Sequence, residues 1–276
     1  MAILLDGKKL AAELRQELKK KIQSLSFTPC LGVILVGDDQ ASHLYVNLKE
    51  KAASEVGIAV EKILLPTETN LATIKNHITN FNNRVDIQAI LVQLPLPQNI
   101  NEQEVIDTID PTKDADGFHP VNIKKLLNDK NTITPGLIQG ICKLLELAKQ
   151  NLSNKTATLI VNSQEFAQPL IKILENKGII AKATTKPELE ILKKSDIIIV
   201  AVGKPNIINS TYIKDGAIVI DVGTNKLNDK IVGDVDAFSL KNRQIYLTPV
   251  PGGVGPMTVA MLLWNVYQLA TKNTTA

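Results

Sequence analysis

Leu10, Leu14, Leu18, Ile22 and Leu25 recur at helical spacing with Lys, Glu and Arg between them. That pattern predicts an amphipathic helix over residues 8–25. Leu31 to Val36 is a short apolar run between Pro29 and Gly37 and reads as a buried strand. A helix with Ser42 as its cap runs to about Val56 and stops at Gly57. A strand over 58–65, a helix over 71–80, a strand over 88–94 and a short helix over 102–109 follow. Thr134-Pro135 then opens a helix over 136–149, with proline at a position that needs no N–H. A second series places strands at 156–161, 179–183, 197–202 and 217–222 and helices at 166–176 and 187–194. Ile245 to Leu247 leads into a loop and a last apolar helix, Val259 to Ala270.

Alternation of this kind predicts an α/β fold with parallel sheets covered by helices. Two domains are expected, an N-terminal three-layer α/β sheet and a Rossmann-type unit, with a cleft between them. The boundary falls near 120–135. Residues 1–134 form the first domain, 135–255 the second, and the last helix, 256–276, packs back on the first. Ligands in such sheets bind beyond the carboxyl ends of the strands, which singles out the segments after Val36, Leu65 and Leu94.

Composition narrows the class without changing it. The chain is 44% hydrophobic and 21% charged with a net charge of +3, so a soluble globular protein is expected and a nucleic-acid partner is not. Lys19-Lys20-Lys21 reads as a solvated helix end. Cys30 and Cys142 are far apart in apolar surroundings and read as reduced thiols of a cytoplasmic protein, and no metal-ligand spacing occurs. Ala2 to Leu5 is too short for a signal core, and Ile197 to Val202 is strand-length, so no membrane partner is expected.

Candidate chemistry concentrates in a few places. Tyr45 and Lys49 share a helix face just past the first long strand. A lysine in an apolar cleft has a lowered pKa and can act as general base or acid; the alternative is an ordinary exposed lysine beside a half-buried tyrosine. Gln93 ends an otherwise apolar strand between Val92 and Leu94, and either satisfies a backbone group or points at a ligand. Asp116 precedes Gly117 and either caps a helix or accepts from an N–H-rich heterocycle; Asp114 could equally be the cap. His119, beside Pro120, reads as structural. Thr248 to Thr258 packs three glycines and three prolines into eleven residues before a helix, which suits either a phosphate cradle or a rigid connector.

Seven motifs in order carry a resemblance. They are Tyr45-Val46-Asn47-Leu48-Lys49, Leu91 to Pro97, Asp110 to Pro120, Ala201-Val202-Gly203-Lys204-Pro205, Asp221-Val222-Gly223, Gly233-Asp234-Val235-Asp236 and the Gly/Pro loop. Together, over about residues 3 to 270, they resemble the bifunctional methylenetetrahydrofolate dehydrogenase/methenyltetrahydrofolate cyclohydrolase family. The resemblance implies interconversion of methylene-, methenyl- and formyl-tetrahydrofolate, with NADP as cofactor, in a cytoplasmic homodimer serving one-carbon metabolism and purine biosynthesis. Lys49 matches the catalytic lysine, Tyr45 the ring stacked beside the folate, Gln93 the lysine's polar partner and Asp116 the carboxylate that holds the pterin. Val92 and Leu94 flank that site. Pro251, Gly252, Gly253 and Gly255 match the folate-side wall, opposite Lys49, so the glycines there are no longer read as a phosphate cradle.

The cofactor turn departs from the family's usual Gly-Arg-Ser-x-x-Val-Gly-x-Pro. The aligned residues are Asn162, Ser163, Gln164, Glu165, Phe166, Ala167, Gln168 and Pro169, and no glycine occurs between Gly140 and Gly178. Such a turn needs glycine for close approach to a pyrophosphate. Glu165 would repel a bound pyrophosphate by about 1 kcal/mol at short range. Thr184-Thr185-Lys186-Pro187 holds no acid for a ribose diol. Asn162, Ser163, Gln164 and Thr224 remain the expected cofactor contacts. Two other functions fit these residues: cyclohydrolase alone with a degenerate cofactor site, and a non-catalytic folate-binding relative.

Overall fold

The computed structural model describes residues 1–273, apart from the side chains of Glu165 and Asn273. In chain order its elements are β1 (Ile3–Leu4), α1 (Gly7–Gln23), β2 (Cys30–Val36), α2 (Gln40–Val56), β3 (Ala59–Leu65), α3 (Leu71–Asn83), β4 (Ala89–Val92), α4 (Glu102–Ile106), α5 (Pro120–Leu127) and α6 (Gly136–Leu147). There follow β5 (Thr156–Val161), α7 (Gln164–Asn176), β6 (Ile180–Thr184), α8 (Leu189–Leu192), β7 (Ile197–Ala201), β8 (Ile218–Asp221), β9 (Asn225–Leu227), β10 (Lys230–Val232), β11 (Tyr246–Leu247) and α9 (Val254–Asn273).

The chain divides into two compact units. One comprises Ala12–Gly136 and the chain from Val259; the other comprises Met1–Ala11 and Leu137–Thr258. In the first, a three-stranded parallel sheet has the order β3-β2-β4. β2 is buried along nearly its whole length, as expected of a parallel strand covered on both faces. Gly32 lets α3 close on it, because a Cβ there would lie 2.7 Å from the Phe81 ring. Leu262, Leu263, Val266 and Leu269 of α9 pack in one cluster with Leu31, Val33, Leu35 and Leu91, which leaves that side of the sheet dry.

In the second unit a six-stranded sheet has the order β1-β11-β8-β7-β5-β6, every neighbouring pair parallel. Chain direction across the sheet reverses between β5 and β7, the switch point of a doubly wound fold. The five residues Ile197–Ala201 of β7 carry no polar side chain and are almost wholly buried, the reading expected of a central parallel strand.

Four features differ from the pattern-based expectation. Met1–Ala11 belongs with the second unit and not with residues 12–134, because Ile3 and Leu4 pair with Tyr246 and Leu247. Two residues are too few to show a period of two. α5 occupies a stretch to which the pattern assigned no element; it is started by His119, whose Nδ1 accepts from Val121 N, and by Pro120 at its first position. Asp39, not Ser42, caps α2, accepting from Ser42 N at 2.8 Å; the carboxylate also suits the positive end of that helix. α9 begins at Val254, five residues earlier than its apolar pattern, and residues 274–276 lie outside the described chain.

Candidate active site

Parallel pairing brings the first group of residues together. β2 and β4 are neighbours, with Ile34 opposite Val92, and Gln93 N donates to Ile34 O at 2.8 Å. The ends of both strands therefore lie side by side. Beyond β2 the chain turns at Gly37, whose φ of +91° suits glycine, and enters α2. Four turns of this helix carry Tyr45 and Lys49 one turn apart. Lys49 Nζ donates to Gln93 Oε1 at 2.8 Å. The other end of the Gln93 amide donates to Leu94 O, so the side chain is held at both ends, and only 8% of it is exposed. The following Leu94–Pro95 peptide is cis.

The segment Lys113–Ala115 runs along β4, with Ile90 N bonded to Lys113 O at 2.7 Å and Ala115 N to Ile90 O at 3.1 Å. This places Asp116 at the same edge. The choice between Asp114 and Asp116 is settled by hydrogen bonds. Asp114 accepts from Gly117 N and His119 N, both at 2.9 Å, and from Asn122 Nδ2 at 3.0 Å, and so builds the loop. The Asp116 carboxylate is left for other work. From the far side, buried Asn265 of α9 donates to Ala115 O and Thr134 O, both at 3.0 Å.

Burial pushes the Lys49 ammonium below its ordinary pKa, and the Asp116 carboxylate partly opposes that shift. Burial likewise pushes Asp116 up, with Lys49 pulling it down and Asp114 adding to the rise. Both groups are thereby poised toward their neutral forms, with a proton of low cost to move. A neutral amine held by an amide acceptor can take a proton from water and return it.

The second group lies in the other unit. Asn162 and Ser163 form the whole connection from β5 to α7. Asn162 Nδ2 donates to Val202 O at 2.8 Å, and Ser163 Oγ accepts from Phe166 N at 3.2 Å as the helix cap. Gln164 is the first helical residue, and the side chain of Glu165 lies outside the described part. Thr224 is exposed behind Gly223. This turn offers no glycine cradle for a pyrophosphate. Gly203, past the end of β7, has φ +66° and open space where a Cβ would be, and its N–H donates to Asp234 Oδ2 at 3.0 Å.

Within the same unit, Lys8 N donates to Gly252 O at 2.7 Å. A Cβ on Gly7 would lie 2.0 Å from Gly253 O, and one on Gly253 2.6 Å from Pro249 O. These two glycines are thus needed for packing, whereas a Cβ on Gly255 would meet nothing within 4 Å.

Residues 5–116 match the model of the tetrahydrofolate dehydrogenase/cyclohydrolase catalytic domain, and residues 134–274 match that of the same enzyme's NAD(P)-binding domain. The chain belongs to the tetrahydrofolate dehydrogenase/cyclohydrolase family. Bifunctional protein FolD of Halalkalibacterium halodurans is 42% identical over 277 residues, which cover 98% of this chain and 99% of that one. FolD of Staphylococcus saprophyticus is 43% identical, covering 96% and 95% respectively. The crystal structure of the bifunctional FolD enzyme of Campylobacter jejuni has a TM-score of 0.93 at 38% identity, covering 99% of this chain and all of that one. That of the Trypanosoma brucei dehydrogenase-cyclohydrolase, complexed with NADP cofactor and inhibitor, has a TM-score of 0.93 at 30% identity, covering 100% and 99%.

For this tetrahydrofolate dehydrogenase/cyclohydrolase family member, the structure joins Lys49 to Gln93 directly and to Asp116 through charge. Tyr45 is half-buried one turn before Lys49. Asn265 was not singled out by its sequence context. It is the one amide inside the otherwise apolar stretch Val259 to Tyr267, and that misfit is the signal that could have found it. Among the described residues there is no group of three or more His, Cys, Asp or Glu that could hold a metal, and no helix is long and apolar enough to cross a membrane.

Proposed function

We propose that the protein interconverts methylene-, methenyl- and formyl-tetrahydrofolate, with Lys49 as the proton-handling residue of the cyclohydrolase step. The Lys49–Gln93 hydrogen bond of 2.8 Å carries this reading, because it holds an amine with a lowered pKa at the edge of a parallel sheet. The methenyl substrate is cationic. A neutral lysine is tolerated beside it where an ammonium would be repelled. Lys49 takes the proton from water as it adds to the methenyl carbon, and returns it to the nitrogen that leaves on ring opening. Asp116 accepts from the N–H-rich pterin, Tyr45 stacks on the flat ring system, and Val92 and Leu94 supply the strand-end wall. Pro251, Gly252, Gly253 and Gly255 carry the expectation of folate contact from the resemblance alone.

NADP, when bound, supplies the hydride acceptor for the dehydrogenase step. The Leu137–Thr258 part of the chain provides the doubly wound sheet, and its first turn provides no phosphate cradle, so low affinity for the dinucleotide is expected. Asn162, Ser163, Gln164 and Thr224 remain its proposed contacts. The unit of Ala12–Gly136 with the last helix is proposed as the folate domain, and the unit of Met1–Ala11 with Leu137–Thr258 as the cofactor domain.

The same reading makes the protein a cytoplasmic homodimer that supplies one-carbon units for purine biosynthesis. Leu44 and Leu48 of α2 and Leu64 of edge strand β3 are exposed apolar side chains that a second copy would cover. Light scattering should give twice the chain mass of 30.1 kDa; the single-chain mass at micromolar concentration would refute the dimer.

The function is tested by assaying the two steps separately, with NADP and NAD titrated by thermal shift. Turnover in both directions with NADP is expected. Cyclohydrolase turnover without any cofactor-dependent shift at millimolar NADP would leave cyclohydrolase alone. Failure of both steps with folate still bound would leave a non-catalytic folate-binding protein.

A further inference from the structure

The proposed chemistry asks Asp116 to accept from a flat, N–H-rich ring, which requires its carboxylate to stand in one place. A loop residue has no such constraint of its own, and this loop is tied down on both sides of Asp116. Before it, residues 113–115 are bonded to Ile90 of β4. After it, Asp114 Oδ1 accepts from Gly117 N at 2.9 Å, which closes a ring of bonds around Asp116. Asp114 Oδ2 accepts from His119 N at 2.9 Å and from Asn122 Nδ2 at 3.0 Å. Asp116 O itself accepts from Gly136 N at 3.4 Å.

Asn122 lies in α5 and is 3% exposed. Both ends of its amide are used. Nδ2 donates to Pro111 O at 2.9 Å as well as to Asp114, and Oδ1 accepts from Thr132 Oγ1 at 2.9 Å. A single side chain thus joins three stretches: the one leading into Asp116, α5, and the one running on through Thr134 to Gly136. Asp114 is 2% exposed, and these three donors to it are neutral. A buried anion solvated by neutral donors is costly, and each lost donor raises that cost. Gly117 N and His119 N belong to the loop itself. Without Asn122 the carboxylate and the loop would be held only by one another; with it, they are fixed to α5.

We propose that Asn122, acting through Asp114, is a positioning residue of the folate site: it locks the loop that carries Asp116, so that the carboxylate meets the pterin already in place. This rests on the reading of Asp116 as the pterin's acceptor given above. A preset acceptor loses less freedom on binding than one that must be ordered by the ligand. Asn122→Ala removes the donor to Asp114 and Pro111 O and the acceptor for Thr132, and leaves Asp116 itself unchanged.

The test uses the full chain, titrated with tetrahydrofolate under anaerobic conditions. Asn122→Ala is expected to weaken binding about tenfold and to raise the cyclohydrolase KM by a similar factor, with kcat within about threefold. In the ligand-free protein, amide exchange at Gly117 and His119 should quicken while β2 stays protected. Asp116→Ala should weaken tetrahydrofolate binding by itself. In that background Asn122→Ala should cost no more than about twofold further, because the group it positions is gone. Ile78→Ala serves as control, since it empties a fully buried position on α3 of the same unit. It should lower the melting temperature and leave the tetrahydrofolate affinity unchanged. If Asn122→Ala does not fold, Thr132→Val removes the hydroxyl that fixes Asn122 Oδ1 and should still raise the KM about threefold. Wild-type affinity in the folded Asn122 or Thr132 variant, an equal loss in Ile78→Ala, or a full second loss in the Asp116→Ala background overturns the proposal. Wild-type affinity in Asp116→Ala would remove the reading of Asp116 as the pterin's acceptor and this inference with it, whereas an Asp116 effect without an Asn122 effect overturns the inference alone.

Discussion

Two strand-to-helix turns occupy the same architectural position and have been put to different use. The β2–α2 turn leaves its strand through Gly37 at φ +91° and is capped by Asp39. The β5–α7 turn leaves through Asn162, with no glycine, and is capped by Ser163. Both caps fill one of the orphan N–H groups of the helix they start. The first turn aims a helix whose third turn carries Lys49 onto Gln93. The second carries Asn162 and Ser163, whose side chains bond back to the protein, and it has no glycine at which a pyrophosphate could approach the backbone closely. Position in a fold thus indicates where a ligand can bind; the side chains decide whether it is gripped there.

The sharpest way to break this contrast is at Lys49. Lys49→Met should lower cyclohydrolase turnover about 10³-fold, within the range of a lost general acid–base group, while folate still binds. Turnover near that of the wild type would remove Lys49 from its role, and with it the claim that the first turn is the reactive one.

Next in size is Asn265→Leu. It removes the amide that donates to Ala115 O and Thr134 O and should destabilise the protein by about 2–3 kcal/mol. The KM for folate should rise as the Asp116 loop loosens, with the NADP affinity unchanged. A calorimetric scan with both titrations checks this, and an unchanged folate KM would show that α9 does not hold the loop.

Gly233→Ala probes the other side. Its Cβ would overlap Asp221 Oδ2, and the overpacking should cost about 1–3 kcal/mol. The smallest effect is expected of Ser163→Ala, about 1 kcal/mol for a lost cap. Because Ser163 is a proposed contact of the dinucleotide, its replacement should also weaken NADP binding severalfold; an unchanged affinity in equilibrium titration would remove it from the cofactor site.

The pH dependence follows from Lys49. A lysine with a lowered folded pKa binds fewer protons than in the unfolded chain, so its contribution to stability rises with pH between the folded and the free value. As a base it works when neutral. Cyclohydrolase kcat/KM should therefore rise with pH through the lowered pKa and then level off. Asp116 opposes the shift, so Asp116→Asn should move that limb to lower pH. A limb that moves the other way, or stays, contradicts the coupling. Asp221 behaves oppositely to a solvent-exposed carboxylate, since burial pushes it up to about 6 against the pull of its N–H donors.

Much of the architecture was legible because long apolar strands and amphipathic helices repeat their periods over many residues. Cys30–Val36 and Ile197–Ala201 could be little else. Ile3–Leu4 and the β9–β10 hairpin could not be read, since two or three residues show no period. Lys49, Gln93 and Asp116 were legible as candidates by residue type and by resemblance. That Asp114 builds the loop and leaves Asp116 free was not, because two neighbouring aspartates look alike until their hydrogen bonds are seen.

By itself the sequence determined the family, the order of the elements and the loss of glycine from the β5–α7 turn, all local properties carried by successive residues. Only the tertiary structure decided which polar groups meet. Gln93 is 44 residues from Lys49. Asn265 is 150 from Ala115, and Asp234 is 32 from Val202. Those pairings depend on parallel strands whose ends are brought side by side by connections far longer than any local pattern, so the demand that buried polar groups find partners is met across the fold and not along the chain.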